Sequence, residues 1–189
     1  MLSRLLLLLL SLAVLNGCSS MKPEQFADST PRFVLEEYFQ GRSRAYGLVE
    51  DRFGTIRRQF TVDITGSWDG QVLTLVEDFH WNDGEQEQRI WHLTRRDEHQ
   101  WEGRTADAIG TAVGKQYGNA FNLRYDFNLK LDGGRTRVHF DDWMFLMPDG
   151  VVLNRAAMSK FGIHLATVTI AFRKDAGPGV IQGGAAAAE

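Results

Sequence analysis

The chain has 189 residues, with 21 Lys and Arg against 24 Asp and Glu for a net charge of −3, and 43% of its residues are hydrophobic. A mildly acidic chain has no electrostatic footprint for nucleic acid, and its single cysteine excludes an intramolecular disulfide. The length suits one ordinary domain with enough chain to bury a core.

The N-terminus opens with "MLSR" and an apolar run from Leu5 to Leu15. Eleven such residues are too few to span a bilayer, which takes about 20, and match the core of a signal peptide. The run leads into "LNGC", ending at Cys18. This segment resembles the lipobox of bacterial lipoproteins. The resemblance implies cleavage before Cys18, a diacylglycerol on its thiol and an acyl chain on the new amino group, with residues 1–17 as the signal peptide. Multiple acyl chains on Cys18 anchor a protein stably where one does not. Ser19, where an aspartate would resemble the inner-membrane retention signal, implies the periplasmic face of a Gram-negative outer membrane. Residues 18–30 are polar and read as a lipidated tether.

The folded body is expected over residues 31–174. A short helix is predicted at its start, with Thr30 as N-cap, Pro31 in the first turn and Gly41 ending "RFVLEEYFQ". Four Asp-Gly pairs, at 69–70, 83–84, 132–133 and 149–150, then punctuate strand-like runs. Asp-Gly is a strong hairpin signal because glycine accepts positive φ. Strands are predicted over 42–50, 55–67, 71–81, 86–96, 99–107, 109–117, 121–131, 135–147, 151–160 and 163–173. In 121–131, Phe121, Leu123, Tyr125, Phe127, Leu129 and Leu131 share one face and polar residues the other, the alternation of a half-buried antiparallel strand. No proline falls between Pro31 and Pro148. A ladder of up-and-down hairpins removes its edges by closing, so the fold class expected is all-β, an antiparallel barrel of about 8–10 strands with a short N-terminal helix. Gly103, Gly110 and Gly114 would ease its bends. The Gly- and Ala-rich residues 175–189 read as a disordered tail.

A helix ending "EEYFQGR" and running into a meander resembles lipocalins and related calycin barrels. More specifically, "YFQGRSRAYG", "LTLVEDFHWNDGEQEQRIWHL", "GNAFNLRYDF" and "VHFDDWMFLMPDGVVLNRAAMSKFG" resemble a family of Gram-negative lipoproteins defined by a domain of unknown function. That resemblance implies a calycin-like barrel and no assigned activity.

Several charges fall on apolar strand faces. Arg58 shares a side with Ile56, Phe60, Val62 and Ile64. Glu77 shares one with Leu73, Leu75, Phe79 and Trp81, and a three-residue turn at Asn82, Asp83 and Gly84 sets it opposite Arg89, beside Trp91 and Leu93. In "VHFDDWMFLM" adjacent aspartates must face opposite ways. Asp142, on the face with Val138, Phe140, Met144 and Leu146, is expected inward and paired with Arg58 or Arg89, and Asp141 outward near His139. Buried charges cost several kcal/mol each unless paired. They are expected either to form a network that fixes register or to meet the polar head of an amphiphile held by Arg58 or Arg89, with Phe60, Trp91, Trp143, Met144 and Met147 lining its tail.

The five histidines show no metal-ligand spacing, "GTAVGKQYG" lacks the Ser or Thr of a phosphate loop and reads as a bent strand, and no cofactor motif occurs. The function expected is a lipid-anchored periplasmic barrel that binds a hydrophobic or amphipathic small molecule, such as a fatty acid or envelope lipid. The alternatives are an assembly lipoprotein with a self-filled barrel and a protein partner, and, less favoured, an enzyme acting on envelope lipids.

Overall fold

The computed structural model describes residues 21–131 and 134–174. The signal-peptide and Cys18 expectations, the tail and the Asp132-Gly133 turn lie outside these residues. The strands are β1 (Gly41–Asp51), β2 (Ile56–Trp68), β3 (Val72–Trp81), β4 (Gln86–Arg95), β5 (Gln100–Arg104), β6 (Ala108–Tyr117), β7 (Ala120–Leu131), β8 (Gly134–Leu146), β9 (Val152–Lys160) and β10 (Ile163–Lys174). Each pairs antiparallel with its sequence neighbour, and β1 pairs β10, so the meander closes into a ten-strand barrel. Closure leaves no edge strand with unpaired backbone groups. The glycines of the three described Asp-Gly turns, Gly70, Gly84 and Gly150, all have positive φ.

Alternation places the core. Ser43 and Ala45 on β1, Phe60, Val62 and Ile64 on β2, and Leu73, Leu75 and Phe79 on β3 point inward and are buried, while Arg44, Thr65 and His80 face out. "GTAVGKQYG" belongs to β6, where the register shifts between Ile109 and Val113 and Gly110 takes φ 78°. Gly103 and Gly114 serve packing instead of bending: a Cβ on Gly114 would lie 2.9 Å from both the Phe121 ring and Trp101.

One end of the barrel is plugged. The helix α1 (Leu35–Phe39) lies there with Phe33, Leu35 and Phe39 fully enclosed, and the Phe39 ring meets Phe172 edge-on at 5.6 Å. Glu36 is buried too, held by Arg95 at 2.7 Å. The helix is shorter than the sequence predicted. Val34 is its N-cap and residues 31–34 are not helical; there the Phe33 amide donates to the Gly118 carbonyl, 2.8 Å away on the barrel.

The structure also revises the tether. Residues 23–26 form a 3₁₀ turn, and Phe26 packs on the outer wall against Trp143 and Phe145 at 5.9 and 5.2 Å. Gly118 makes room for this, since a Cβ there would lie 1.8 Å from the Phe26 carbonyl. The body thus begins about ten residues earlier than expected. At the opposite end, formed by the β1–β2, β3–β4, β5–β6 and β9–β10 turns, no described element covers the mouth.

Candidate functional site

Two apolar clusters occupy the barrel. The larger, around Phe39, Leu73, Trp101 and Phe121, fills the plugged half, and the smaller, Phe127, Val138, Phe140 and Ala156, lies toward the open half. Polar side chains face inward along with them. The β3–β4 register sets Glu77 opposite Arg89, as the sequence predicted. From the other wall, β7 contributes Tyr125, β8 Asp142 and β9 Asn154.

Asp142 points into the barrel and is 8% exposed, while Asp141 faces out and accepts hydrogen bonds from Asn122 at 2.7 Å and Arg124 at 3.1 Å. The expected arginine partner is corrected. Asp142 accepts from the Asn154 amide, which also donates to the Trp143 carbonyl at 3.0 Å. Arg58 cannot reach it. Its strand face was read correctly, but it lies two residues from the start of β2, so it sits at the rim, bonded to Asp83 and Glu85 and 3.8 Å above the Trp81 ring.

Arg89 is the interior cation. Its guanidinium lies 4.9 Å from the centroids of both Phe79 and Phe127, donates to Glu87 at 2.7 Å, and leaves a buried Nε with no partner among the described residues. The Tyr125 ring meets Trp91 edge-on at 5.2 Å and stacks on Phe140 at 5.1 Å. Glu77, Arg89 and Tyr125 are half-buried, each on the inner face of its strand.

Electrostatics follows from this enclosure. Burial pushes the Asp142 carboxyl up to about 7, with Asp141 adding and Asn154 opposing. Burial also raises Glu77 to about 7, opposed by Arg89 and reinforced by Asp142 and Glu87. The Tyr125 hydroxyl is held well above its ordinary value by burial first and then by the Asp142 charge. Desolvation dominates because a carboxylate taken from water without a cation in contact is disfavoured more than its acid form. Near neutral pH the interior therefore holds two half-protonated carboxyls that sense each other and one arginine.

The other candidates separate by strand parity. Phe60 and Trp91 are buried inside, and Met144 packs inward, half-buried against the core. Trp143 does not line the interior: as Met144's neighbour on a strand it must face the other way. It is only 6% exposed because Phe26 covers it and Phe145 stacks on it from outside. Met147 follows the end of β8, its amide closing the β8–β9 turn onto Val151 at 2.8 Å, at the plugged end and away from the Glu77–Arg89 level. Tyr125 and Asn154 were the misses. A groove of about 500 Å³ also crosses the wall between β3, β2, β1 and β10, lined by Tyr46, Leu48 and Leu153 and reaching Phe60, Trp81 and Ile170. It holds none of the buried charges, so the interior is the candidate site.

Residues 12–174 match the family described as protein of unknown function (DUF3833), and the chain belongs to that family. No curated protein matches it. Among solved structures the barrel is similar to the S-type phycobiliprotein lyase CPES from Guillardia theta, with a TM-score of 0.57 over 83% of this chain and 99% of that one, at 11% identity. At that identity the likeness is one of fold, a calycin-like barrel.

Proposed function

We propose that this DUF3833 protein binds an amphipathic small molecule inside its barrel, head at the Glu77, Arg89, Tyr125, Asp142 and Asn154 cluster and tail along the apolar side chains beside it. The observation that carries the reading is that cluster itself. An interior that existed only to be filled would be cheaper in apolar side chains, since well-packed hydrophobic replacements of buried charges are often neutral or stabilising. Convergent polar groups in an apolar enclosure are what orients a ligand. A barrel similar to that of a phycobiliprotein lyase supports small-molecule binding in general terms.

The charge balance selects among heads. Glu77, Glu87 and Asp142 outnumber Arg89, so a fatty acid would add a fourth carboxyl beside one cation. A neutral or cationic head that donates hydrogen bonds to the carboxyls suits the site better, and Arg89 Nε remains as a donor for a carbonyl or ester oxygen. We further take the lipidated Cys18, read from the sequence, as the anchor that keeps the barrel beside the membrane supplying such a ligand.

The test is native mass spectrometry of the protein from its own membranes, followed by titration with a fatty acid, a monoacylglycerol and an alkylamine of equal chain length. Co-purification of a lipid, and tighter binding of the neutral or cationic heads than of the acid at pH 8, is expected. No adduct and no binding of any of the three overturns the reading in favour of a self-filled barrel.

A further inference from the structure

The open rim carries apolar side chains where a soluble barrel has no use for them. Phe161 is 92% exposed at the β9–β10 turn and Phe53 is 76% exposed at the β1–β2 turn, with Ile56 and Ile163 beside them. The two turns are neighbours, because β1 pairs β10 and the Arg52 amide bonds to the Leu165 carbonyl at 2.9 Å. Phe161 and Gly162 have φ of 52° and 77° between the paired residues Lys160 and Ile163, the two-residue turn that hairpins build from Asn-Gly or Asp-Gly. Three other described turns of this chain, at 69–70, 83–84 and 149–150, use Asp-Gly. Phenylalanine in the left-handed region brings its Cβ too close to the following carbonyl oxygen, and here it gains no burial in return.

A cation accompanies each ring. The Arg52 guanidinium lies 4.7 Å from the Phe53 ring centroid and the Lys160 ammonium 5.6 Å from that of Phe161. Neither has a carboxylate partner among the described residues; Lys160 donates to the Thr136 hydroxyl, and Asp51, at the β1–β2 turn, is taken by Arg57 and by the Phe53 and Thr55 amides. We infer that this rim docks on an anionic lipid surface, the two phenylalanines entering the boundary between headgroups and acyl chains and Arg52 and Lys160 meeting phosphates. Aromatic and aliphatic groups beside basic ones are what such a boundary selects.

The shape favours lipid over protein. The apolar side chains sit on the tips of two neighbouring hairpins, each presenting one exposed ring with one cation beside it, the pairing that a headgroup boundary selects. The surface is separate from the expected acyl anchor, since the described chain begins on the outer wall near the β6–β7 turn, at the other end of the barrel. The inference stands on the rim alone and does not need the interior ligand.

The experiment uses the full chain with Cys18→Ser and one introduced thiol carrying an environment-sensitive fluorophore, at Phe161→Cys or, as the control at the plugged end, at Asp149→Cys. Vesicles are phosphatidylglycerol in phosphatidylcholine, or phosphatidylcholine alone, with and without brominated acyl chains. Blue-shifted, bromine-quenched emission from position 161 but not 149 is expected, with roughly tenfold tighter binding to the anionic vesicles that Arg52→Ser with Lys160→Ser abolishes. Phe53→Ser should weaken the response at 161 about tenfold, equivalent to ~1.4 kcal/mol, at unchanged melting temperature. A position-161 probe that stays unquenched on vesicle-bound protein, responds like position 149, or becomes shielded with rising protein concentration in the absence of lipid overturns it.

Discussion

Inside the barrel the Asn154 side-chain amide donates to the Asp142 carboxylate. The partner is a neutral donor on the next strand, so the carboxyl is satisfied by hydrogen bonding without a neutralising charge in contact. That is why burial wins and lifts it to about 7. The acid form keeps the same hydrogen bond through its carbonyl oxygen and sheds the cost of burying a charge.

The first prediction follows from that lift. A carboxyl with a higher pKa in the folded chain than in the unfolded one binds its proton more tightly when folded. The stability it contributes is complete below the unfolded value near 4 and is lost as pH rises to about 7. Melting temperature should therefore fall between pH 4 and 7 and level off above. Asp142→Asn retains an acceptor for Asn154 and removes the ionisation, leaving Glu77 to titrate, so thermal melts should show roughly half the parent's slope and a gain at pH 8 of about 2–4 °C per kcal/mol recovered. A variant with the parent's full slope would locate the titration elsewhere.

Arg89 should behave oppositely. Arg89→Met removes the cation beside Glu77 and the partner of Glu87, and because the Glu87 side chain is 35% exposed the loss should fall below the ~3–5 kcal/mol typical of a fully buried pair. Because Arg89 opposes the rise of Glu77, its loss pushes that carboxyl higher still, and at pH 5 the neutral acid no longer needs a cation. Denaturant melts should show the loss near its full size at pH 8 and markedly smaller at pH 5. An equal loss at both pH values would mean that Arg89 acts through packing against Phe79 and Phe127.

Strand parity made much of this site legible. Turn length placed Glu77 opposite Arg89, and the apolar company of Asp142 turned it inward, because a half-buried wall enforces a period of two. Parity gives the face and not the depth. Arg58 lies on the inner face but so near the start of β2 that its long stem carries the charge out to Asp83 and Glu85. Trp143 misled for a different reason: an apolar residue on the outer face implies a cover, and the cover, Phe26, came from a segment whose polar composition read as tether. Tyr125 was hidden by its own ring, which continues the apolar stripe of β7 while its hydroxyl joins the polar cluster. Asn154 occupies an inward position between Val152 and Ala156, a readable signal in a strand too short on alternation to advertise it.

The plug has a vulnerable contact. A Cβ on Gly66 would lie 1.9 Å from the Phe39 carbonyl oxygen and 2.8 Å from its carbon, both backbone atoms. Nothing there yields by a rotamer change, so α1 must lift off the barrel end. Gly66→Ala should cost about 3 kcal/mol, within the range of strongly disruptive single substitutions, and raise hydrogen exchange in residues 35–39 ahead of the strands. A wild-type exchange pattern would show that α1 can shift without loosening.

The last prediction concerns Cys18, outside the described residues and resting on the sequence. If acyl chains hold the protein at the envelope, Cys18→Ala removes them and leaves only the rim. Two phenylalanines with two cations give a weak and reversible attachment, far from the stable anchoring that dual acylation supplies. The alanine variant should accumulate with residues 1–17 uncleaved, or appear in the soluble fraction after cleavage, as intact mass and fractionation would report. High salt should release any rim-bound remainder by screening Arg52 and Lys160, while the acylated parent stays with the membrane. An alanine variant that is cleaved normally and remains salt-resistant at the membrane would sink the lipoprotein assignment and leave the barrel surface itself as the anchor.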